Sequence, residues 1–292
     1  MKVVVSIPAY NEERTIGKVI DDIKTSLSQT NYDYDILVLN DGSRDKTAEI
    51  ANSKGAIIIS NPRNLGLAET FKREMQECLK LKADIIVHTD ADNQYPAHYL
   101  PKLIKKIEEG HDLVLGSRFG TGKYSGSLLK SLGNKAFAKV FSGLLRTKLT
   151  DTTTGFRAFR KEVAELPLIN SFTYTQEQLI RTGRAKMRIA EIAILANKTA
   201  RQSRLFKNPF DYAVKAWINI LRIYRDFEPL KFFGWIGLSF MSVGFLLGIW
   251  ILITLLQTGG VGGIPRVILS ALFMITGIQI VLFGLLADMY QK

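Results

Sequence analysis

Cysteine and histidine are scarce in this chain of 292 residues, which has one cysteine and three histidines. A single cysteine cannot form an internal disulfide, and so few Cys and His side chains leave no zinc-finger spacing. Cys78 falls in a helical pattern, where a buried structural thiol is expected rather than a nucleophile. These shortages exclude a disulfide scaffold and a zinc-finger protein.

Charge is almost absent from the C-terminal part of the chain. Residues 232–256 and 264–287 contain one charged side chain, Arg266. At about 1.5 Å per residue, each stretch is long enough as a helix to cross a hydrocarbon core about 30 Å thick. Two such runs in succession are difficult to bury in a soluble core, so residues 232–292 are predicted to form a transmembrane hairpin.

Basic residues lie on one side of this predicted hairpin. Arg222, Arg225 and Lys231 precede the first span and Lys292 ends the chain, whereas the linker 257–263 is uncharged. By the positive-inside rule, both termini are expected on the cytoplasmic side of the cell membrane. The first residues have a strand pattern rather than that of a signal peptide, so the N-terminal domain is expected to stay in the cytosol.

The formal net charge of +12 favours binding to nucleic acid or to an anionic membrane surface. No recognition-helix motif supports nucleic acid, whereas the predicted hairpin supports membrane lipid as the partner. Residues 206–231 combine aromatic with basic side chains, which is typical of a helix in the membrane interface. Gly244 and Gly248 form a small-residue face, explained either by packing within the hairpin or by a homo-oligomer.

Strand and helix patterns alternate through residues 1–205. Strands are predicted at 3–7, 35–39, 56–60, 84–88, 113–116, 158–160 and 187–195, and helices at 13–27, 46–53, 67–81, 127–146 and 175–184. Such alternation indicates right-handed crossovers and an α/β fold with a mostly parallel sheet and helices on both faces. Ligands of these sheets bind at the carboxyl ends of the strands, which here carry Pro8, Tyr10, Asp41, Asp90 and Asp92.

Three oxygen-bearing side chains, Asp90, Asp92 and Gln94, follow the apolar run 85–87 at alternating positions. Residues separated by one position point to the same side of an extended chain, so two of these side chains can reach one ion. Mg²⁺ or Mn²⁺ prefers such oxygen ligands and is commonly shared with substrate phosphates. Acidic pairs at strand ends also serve as turn caps, but the buried strand before this pair and Pro96 after it favour a binding site.

Six short motifs occur in order along the N-terminal part of the chain. They are Ile-Pro-Ala-Tyr-Asn-Glu-Glu at 7–13, Asn-Asp-Gly-Ser-Arg-Asp-Lys-Thr at 40–47, Asn-Leu-Gly at 64–66, Asp-Ala-Asp-Asn-Gln-Tyr-Pro at 90–96, Gly-Ser-Arg-Phe at 116–119 and Thr-Gly-Phe-Arg at 154–157. Together they resemble the motifs of family 2 glycosyltransferases, and within that family those of dolichyl-phosphate mannose synthases and polyprenyl-phosphate glucosyltransferases. The similarity covers about residues 2–205.

The resemblance implies a GT-A type domain, residues 1–205, that binds a nucleotide-diphosphate sugar. The residues implied to contact the nucleotide sugar are Pro8, Tyr10 and Glu12 at the base, with Asn40, Asp41, Asp90, Ala91, Asp92 and Gln94. Asp92 and Gln94 are further implied to coordinate Mg²⁺ or Mn²⁺. Asn40 stands where the family usually has an acidic residue, and because an amide both donates and accepts, the base is not inferred.

The acceptor implied by the resemblance is a dolichyl or undecaprenyl phosphate. Arg118 is the implied contact for the lipid phosphate, the alternative being a surface ion pair; Lys130, Arg201 and Arg204 are weaker candidates. Asp151 is the candidate catalytic base or orienting residue. A phosphate monoester is largely anionic at pH 7, so the orienting role is favoured.

Residues 127–146 form a basic amphipathic pattern, explained equally well by a helix in the membrane interface or by packing on the domain. The Gln-x-x-Arg-Trp motif of processive synthases is absent, since Gln202 is followed by Ser-Arg-Leu. The sequence therefore predicts an inverting, metal-dependent transfer of one sugar to polyprenyl phosphate. The alternatives are transfer to a lipid-linked oligosaccharide or glycan, and a non-catalytic scaffold that binds nucleotide sugar.

Overall fold

Two compact units make up the chain, Met1–Leu205 and Phe206–Lys292. The computed structural model describes residues 1–119, 128–145, 147–168, 174–197, 218, 221–222, 225–261 and 263–290.

The first unit is built on a seven-stranded sheet with the order β3-β2-β1-β4-β6-β5-β7. Its strands are β1 (Lys2–Ala9), β2 (Asp33–Asn40), β3 (Ile57–Ser60), β4 (Ile85–His88), β5 (Leu113–Ser117), β6 (Arg157–Arg160) and β7 (Ile189–Ala193). β6 is antiparallel to β4 and β5, and the other paired strands are parallel. The mostly parallel sheet predicted from the alternation is confirmed.

Seven helices are described in this unit. They are α1 (Ile16–Leu27), α2 (Thr47–Ser53), α3 (Leu67–Lys80), α4 (Leu100–Glu108), α5 (Leu128–Leu145), α6 (Lys161–Ala164) and α7 (Tyr174–Arg184), with a 3-10 turn at Ala97–Tyr99 before α4. α1 begins three residues later than predicted, at Ile16, after its N-cap Thr15. A helix beginning at residue 13 could have been capped by Asn11 or Glu12, but the N-cap of α1 is Thr15.

Helices cover both faces of β1, which explains why this strand is apolar almost throughout. Val5 and Ile7 belong to the core cluster that contains Ile20 of α1. Ser6 points to the opposite face, because successive strand residues alternate, and is buried there under α3. Cys78 is buried, as predicted for a structural thiol.

The strand ends place the predicted motifs at one edge of the sheet. Ala9 pairs with Asn40 at the ends of β1 and β2, and Ser6 pairs with His88 at the end of β4. Because β6 runs the opposite way, its first residue, Arg157, pairs with His88 at this same edge. The loop before β6 therefore joins the loops that follow the parallel strands.

The second unit contains two long apolar helices, α8 (Pro229–Thr258) and α9 (Ile264–Met289), each long and apolar enough to span a membrane. They approach closely at glycines: a Cβ on Gly277 would lie 2.7 Å from the carbonyl oxygen of Gly237. The hydroxyl of Ser270 donates a hydrogen bond of 2.8 Å to the carbonyl of Gly244. Close packing within the pair thus accounts for Gly244.

Candidate active site

The carboxylate of Asp90 lies against the backbone of Gly155. A Cβ on residue 155 would be 3.0 Å from Oδ1 and 3.1 Å from Oδ2 of Asp90. The Gly155 N–H donates to the Tyr95 hydroxyl over 3.2 Å, and the Tyr95 ring stacks on Phe156 with centroids 5.2 Å apart. The loop after β4 is therefore fixed against the loop before β6 at the position of Asp90.

Burial is the main influence on the charge of Asp90. It raises the pKa of this carboxyl to about 6, with a further rise from Asp92, while His88 and Arg118 act in the opposite direction. A carboxyl with a raised pKa gains from any cation that binds beside it, since the cation stabilises the ionised form. The site therefore favours a positively charged ligand.

Asp92 and Gln94 lie on a short loop that is held from two sides. Within the loop, Oδ1 of Asp92 accepts a hydrogen bond of 3.0 Å from the Gln94 N–H. From the segment after β7, the Asn197 side chain donates to the Asn93 carbonyl over 3.0 Å, and its N–H donates to the Gln94 carbonyl over 2.8 Å. The side chains of Asp92 and Gln94 are both half-buried and thus reachable by a ligand.

The donor set at this edge fits a hard divalent cation that is shared with a substrate. Among the described residues, no three or more His, Cys, Asp and Glu side chains group as a metal cage. Mg²⁺ sites commonly use only one or two carboxylates and complete their coordination with phosphates and water. Asp92 and Gln94 supply oxygen ligands of that kind. Asp90 lies beside them, and because its pKa is raised, a nearby cation would stabilise its ionised form.

Arg118, directly after β5, forms a two-point ion pair with Asp151. Its Nε donates to Oδ2 over 2.7 Å and its Nη2 to Oδ1 over 3.0 Å. Nη2 also donates to the Thr153 hydroxyl over 2.9 Å. The Asp151 side chain is fully buried, whereas 17% of the Arg118 side chain is exposed. This is not a surface ion pair, because a buried carboxylate holds the guanidinium in a set orientation.

The side chain of Asp41 organises the loop before α3. Its Oδ1 accepts hydrogen bonds from the Asn61 side chain (2.8 Å) and the Leu65 N–H (2.9 Å), and its Oδ2 accepts one from the Gly66 N–H (3.0 Å). The neighbouring Asn40 donates to the Ser60 hydroxyl over 3.1 Å and accepts from the Ser43 N–H over 3.0 Å.

The loops after β1 and β2 are hydrogen-bonded to each other. The Asn11 N–H donates to the Ser43 hydroxyl over 3.0 Å, and the Glu12 N–H donates to the Thr47 hydroxyl over 2.8 Å. Pro8 is buried in β1 and Tyr10 is half-buried directly after it. Pro8, Tyr10 and Glu12, the predicted base-binding residues, therefore lie at the end of β1 or just after it, where hydrogen bonds to the next loop hold the backbone.

Comparison with known proteins gives the family. The profile described as "Glycosyl transferase family 2" matches residues 4–166, more than half of the chain, and the profile described as "GtrB C-terminal hairpin" matches residues 228–290. This chain is a family 2 glycosyltransferase.

Three relatives of this glycosyltransferase have names that refer to dolichyl phosphate, dolichol phosphate or bactoprenol. A dolichyl-phosphate hexose transferase of Haloferax volcanii is 36% identical over 69% of this chain and 84% of its own length. A dolichol-phosphate mannosyltransferase of Pyrococcus furiosus is 31% identical over 93% of this chain and 78% of its own length. A prophage bactoprenol glucosyl transferase homolog of Escherichia coli K12 is 27% identical over 99% of this chain and 93% of its own length.

Solved structures confirm the GT-A type fold of this glycosyltransferase. Glucosyl-3-phosphoglycerate synthase of Mycobacterium tuberculosis, in complex with Mn²⁺, UDP and phosphoglyceric acid, superposes with a TM-score of 0.58 over 76% of this chain and 77% of its own. Sequence identity is 23%, so the likeness is one of fold.

Helix α5 of the glycosyltransferase packs on its own domain through the residues whose side chains are described. Phe137 and Phe141 are buried, and Leu145 packs against α7 at Gly183, where an added Cβ would collide with the leucine side chain. Packing on the domain is therefore the explanation that fits the apolar face at these positions. Lys130 lies in α5, while Arg201 and Arg204 lie outside the described residues.

Several residues at the site are not among those predicted: Tyr95, Thr153, Asn197 and Glu191. Tyr95 lies within the Asp-Ala-Asp-Asn-Gln-Tyr-Pro motif and could have been found there. Glu191 had a signal as well, because it is a lone acidic residue within the apolar strand β7. Thr153 and Asn197 carry no distinguishing pattern, and only the folded loops show their contacts.

Proposed function

We propose that this glycosyltransferase transfers one sugar from a nucleotide-diphosphate sugar, of the GDP-mannose or UDP-hexose type, to dolichyl or undecaprenyl phosphate. The observation that carries the proposal is the oriented guanidinium of Arg118, at the sheet edge that also carries Asp90 and Asp92. A fixed guanidinium is suited to a phosphate acceptor, and the carboxylates to a cation-bound donor. The names of the Haloferax, Pyrococcus and Escherichia relatives support the same acceptor class.

The donor is assigned to the ends of β1, β2 and β4. Pro8, Tyr10 and Glu12 contact the base, and Asn40, Asp41, Asp90 and Ala91 complete the nucleoside pocket. Asp41 contributes by holding the 61–66 loop in place through its three hydrogen bonds. Asp92 and Gln94 are the proposed ligands of Mg²⁺ or Mn²⁺, which when bound neutralises charge on the departing diphosphate.

The acceptor phosphate is assigned to Arg118, with Lys130, Arg201 and Arg204 as further basic contacts. One of its oxygens attacks the anomeric carbon; the new carbon–oxygen bond forms as the bond to the nucleotide diphosphate breaks, with inversion. The phosphate monoester is largely ionised at pH 7 and needs no strong base. Asp151 therefore acts by orienting Arg118.

The chain is proposed to divide into a catalytic domain at 1–205, an interfacial segment at 206–231 and a membrane hairpin at 232–292. The aromatic and basic composition of the middle segment supports this division. The basic residues before α8 support a cytoplasmic catalytic domain with both termini on that side.

The test uses the full chain in detergent with radiolabelled GDP-mannose or UDP-glucose. Each donor is offered with polyprenyl phosphate or with a lipid-linked saccharide, with Mn²⁺ or with EDTA. We expect label in a polyprenyl-phosphate sugar, and loss of transfer in EDTA. Label only in the lipid-linked saccharide would overturn the proposed acceptor, and full transfer in EDTA would overturn the metal assignment.

A further inference from the structure

Glu191 lies in β7 with its carboxylate turned to the loop that carries Asp151. Its Oε1 accepts hydrogen bonds from the Thr150 N–H (2.9 Å) and the Asp151 N–H (3.0 Å). Its Oε2 accepts from the Thr150 N–H (2.8 Å) and the Thr150 hydroxyl (2.8 Å). One half-buried carboxylate thus holds two consecutive backbone N–H groups and a hydroxyl.

An acidic residue at this place needs an explanation, since the rest of β7 is Ile189, Ala190, Ile192 and Ala193. Burial raises the pKa of Glu191, and the hydrogen bonds from Asp151 and Thr150 work against that rise. A carboxylate loses free energy of hydration when it is taken out of water, and donors must compensate for the loss. Among the described residues, the donors that do so are those of Thr150 and Asp151.

The contacts continue from Glu191 to Arg118 by two routes. One route runs through Asp151, whose carboxylate binds the guanidinium at two points. The other runs through the Thr150 hydroxyl, which is 2.6 Å from the Ser117 hydroxyl, on the residue next to Arg118. The side chain of Ser117, next to Arg118, and the carboxylate that binds the guanidinium are thus both linked to Glu191.

We propose that Glu191 is a positioning residue for the acceptor phosphate: it fixes the Thr150–Asp151 backbone so that Asp151 holds Arg118 in the orientation that binds the lipid phosphate. The inference rests on the proposed function, because it assigns Arg118 to that phosphate. Glu191 itself touches neither donor nor acceptor in this account. Its effect is exerted through Asp151.

The test replaces Glu191 by Gln, which keeps the size of the side chain but sets an amide N–H₂ against the N–H and hydroxyl of Thr150. The KM values for polyprenyl phosphate and for the nucleotide sugar are measured for Glu191→Gln, Asp151→Asn and the double variant. Glu162→Gln, an exposed acidic residue of α6, is the matched control.

We expect Glu191→Gln to raise the KM for polyprenyl phosphate about tenfold, the size of one charge-assisted hydrogen bond, with the donor KM within about twofold of the original. In the Asp151→Asn background the same change should add little, because residues that act through one another are not additive. A merely structural role of Glu191 would instead change both KM values or the amount of active enzyme.

Suppose first that the parent enzyme glycosylates polyprenyl phosphate. The inference is then overturned if Glu191→Gln leaves the KM for this lipid unchanged, or if its effect is fully additive with that of Asp151→Asn. Failure of the parent enzyme to use polyprenyl phosphate overturns the proposed function instead. If Glu191→Gln does not fold, Thr150→Val removes one donor and the bridge to Ser117. It should raise the lipid KM in the same selective way, and an unchanged value would overturn the inference.

Discussion

The guanidinium of Arg118 and the fully buried carboxylate of Asp151 are joined by two hydrogen bonds, of 2.7 Å and 3.0 Å. Removing one partner of such a pair leaves an uncompensated charge, so the two side chains define a single unit. The pair lies at the edge where the strand ends and the loop before β6 meet. Its geometry is the main reason for assigning Asp151 to orientation rather than to proton transfer.

Asp151→Asn should therefore weaken binding of the acceptor more than it changes the chemistry. The amide keeps the shape of the side chain but loses the charge that orients Arg118, so we expect the KM for polyprenyl phosphate to rise about tenfold or more. The pH dependence of kcat should keep its shape between about pH 6 and 9. A variant whose lipid KM is unchanged, and whose kcat climbs with pH, would identify Asp151 as a base.

Gly155→Ala should lower activity, because the new Cβ would lie about 3 Å from both oxygens of Asp90. The carboxylate or the Gly155 backbone must shift, and overpacking of this kind costs about 1–3 kcal/mol. We expect lower stability together with weaker donor binding, measured by thermal unfolding and by the donor KM. Gly143→Ala is the control, since among the described residues no atom outside its own helix backbone and its two chain neighbours lies within 4 Å of a Cβ there. Equal behaviour of the two variants would contradict the role given to Gly155.

Much of the fold could be predicted because its signals are local. The apolar runs of β1 and β4 and the helical stripe of α3 are readable residue by residue, and the parallel-sheet rule then gathers Asp41, Asp90 and Asp92 at one edge. Helix α4 is absent from the predicted elements, although Leu103 and Ile107 are part of its buried stripe. Its buried residues follow helical spacing and its proline lies in the first turn, so this helix could also have been predicted from the sequence.

The arrangement of the site could not be predicted in the same way. Arg118 and Asp151 are 33 positions apart, and their two-point contact depends on the shape of two irregular loops. Asp41 has the motif position of a ligand contact, yet its oxygens bind the backbone of residues 65–66, which no pattern in the sequence indicates. The strand ends, and the polar residues that follow them, can be predicted from the sequence. The hydrogen-bond partners of loop residues cannot, because they depend on tertiary packing.

Replacing Asp90 by Asn should stabilise the metal-free protein at neutral pH. The folded state keeps the proton of Asp90 up to about pH 6, whereas an unfolded chain releases it near pH 4. Between these values the folded state binds more protons, so its free energy of unfolding falls as pH rises. The neutral amide avoids this loss, which is at most about 3 kcal/mol.

The measurement is chemical or thermal unfolding in EDTA at about pH 4.5 and pH 7.5, with the exposed Asp33→Asn as control. The gain from Asp90→Asn should appear at the higher pH and be small at the lower one. A gain of equal size at both values would show that ionisation of Asp90 is not its origin. Transfer activity of this variant should be strongly reduced, because the site loses a negative charge.

Asn197→Ala should weaken the use of the divalent cation. The change removes the 3.0 Å hydrogen bond to the Asn93 carbonyl and so loosens the loop between Asp92 and Gln94. We expect the Mn²⁺ concentration for half-maximal activity to rise several-fold, as seen when supporting contacts of metal ligands are lost. The acceptor KM should stay unchanged, and a shift in that value alone would contradict the assignment of this loop to the metal.

Gly277→Leu should separate the two apolar helices. A Cβ on residue 277 would lie 2.5 Å from Cγ of Met241 and 2.7 Å from the carbonyl oxygen of Gly237. The Gly237 carbonyl belongs to the backbone of α8, so relieving this clash requires the helices to move apart. Gly234→Leu is the matched control on α8, because in the described part of the chain nothing beyond its own helix backbone and its two neighbours lies within 4 Å of a Cβ there. We expect the melting temperature of the full chain in detergent to fall for Gly277→Leu and to change little for Gly234→Leu. Only Gly277→Leu forces the two helix backbones apart, so only this variant should lose stability. An equal loss of stability in both variants would show that the apolar helices are sensitive to any leucine substitution, and would contradict a specific contact at Gly277.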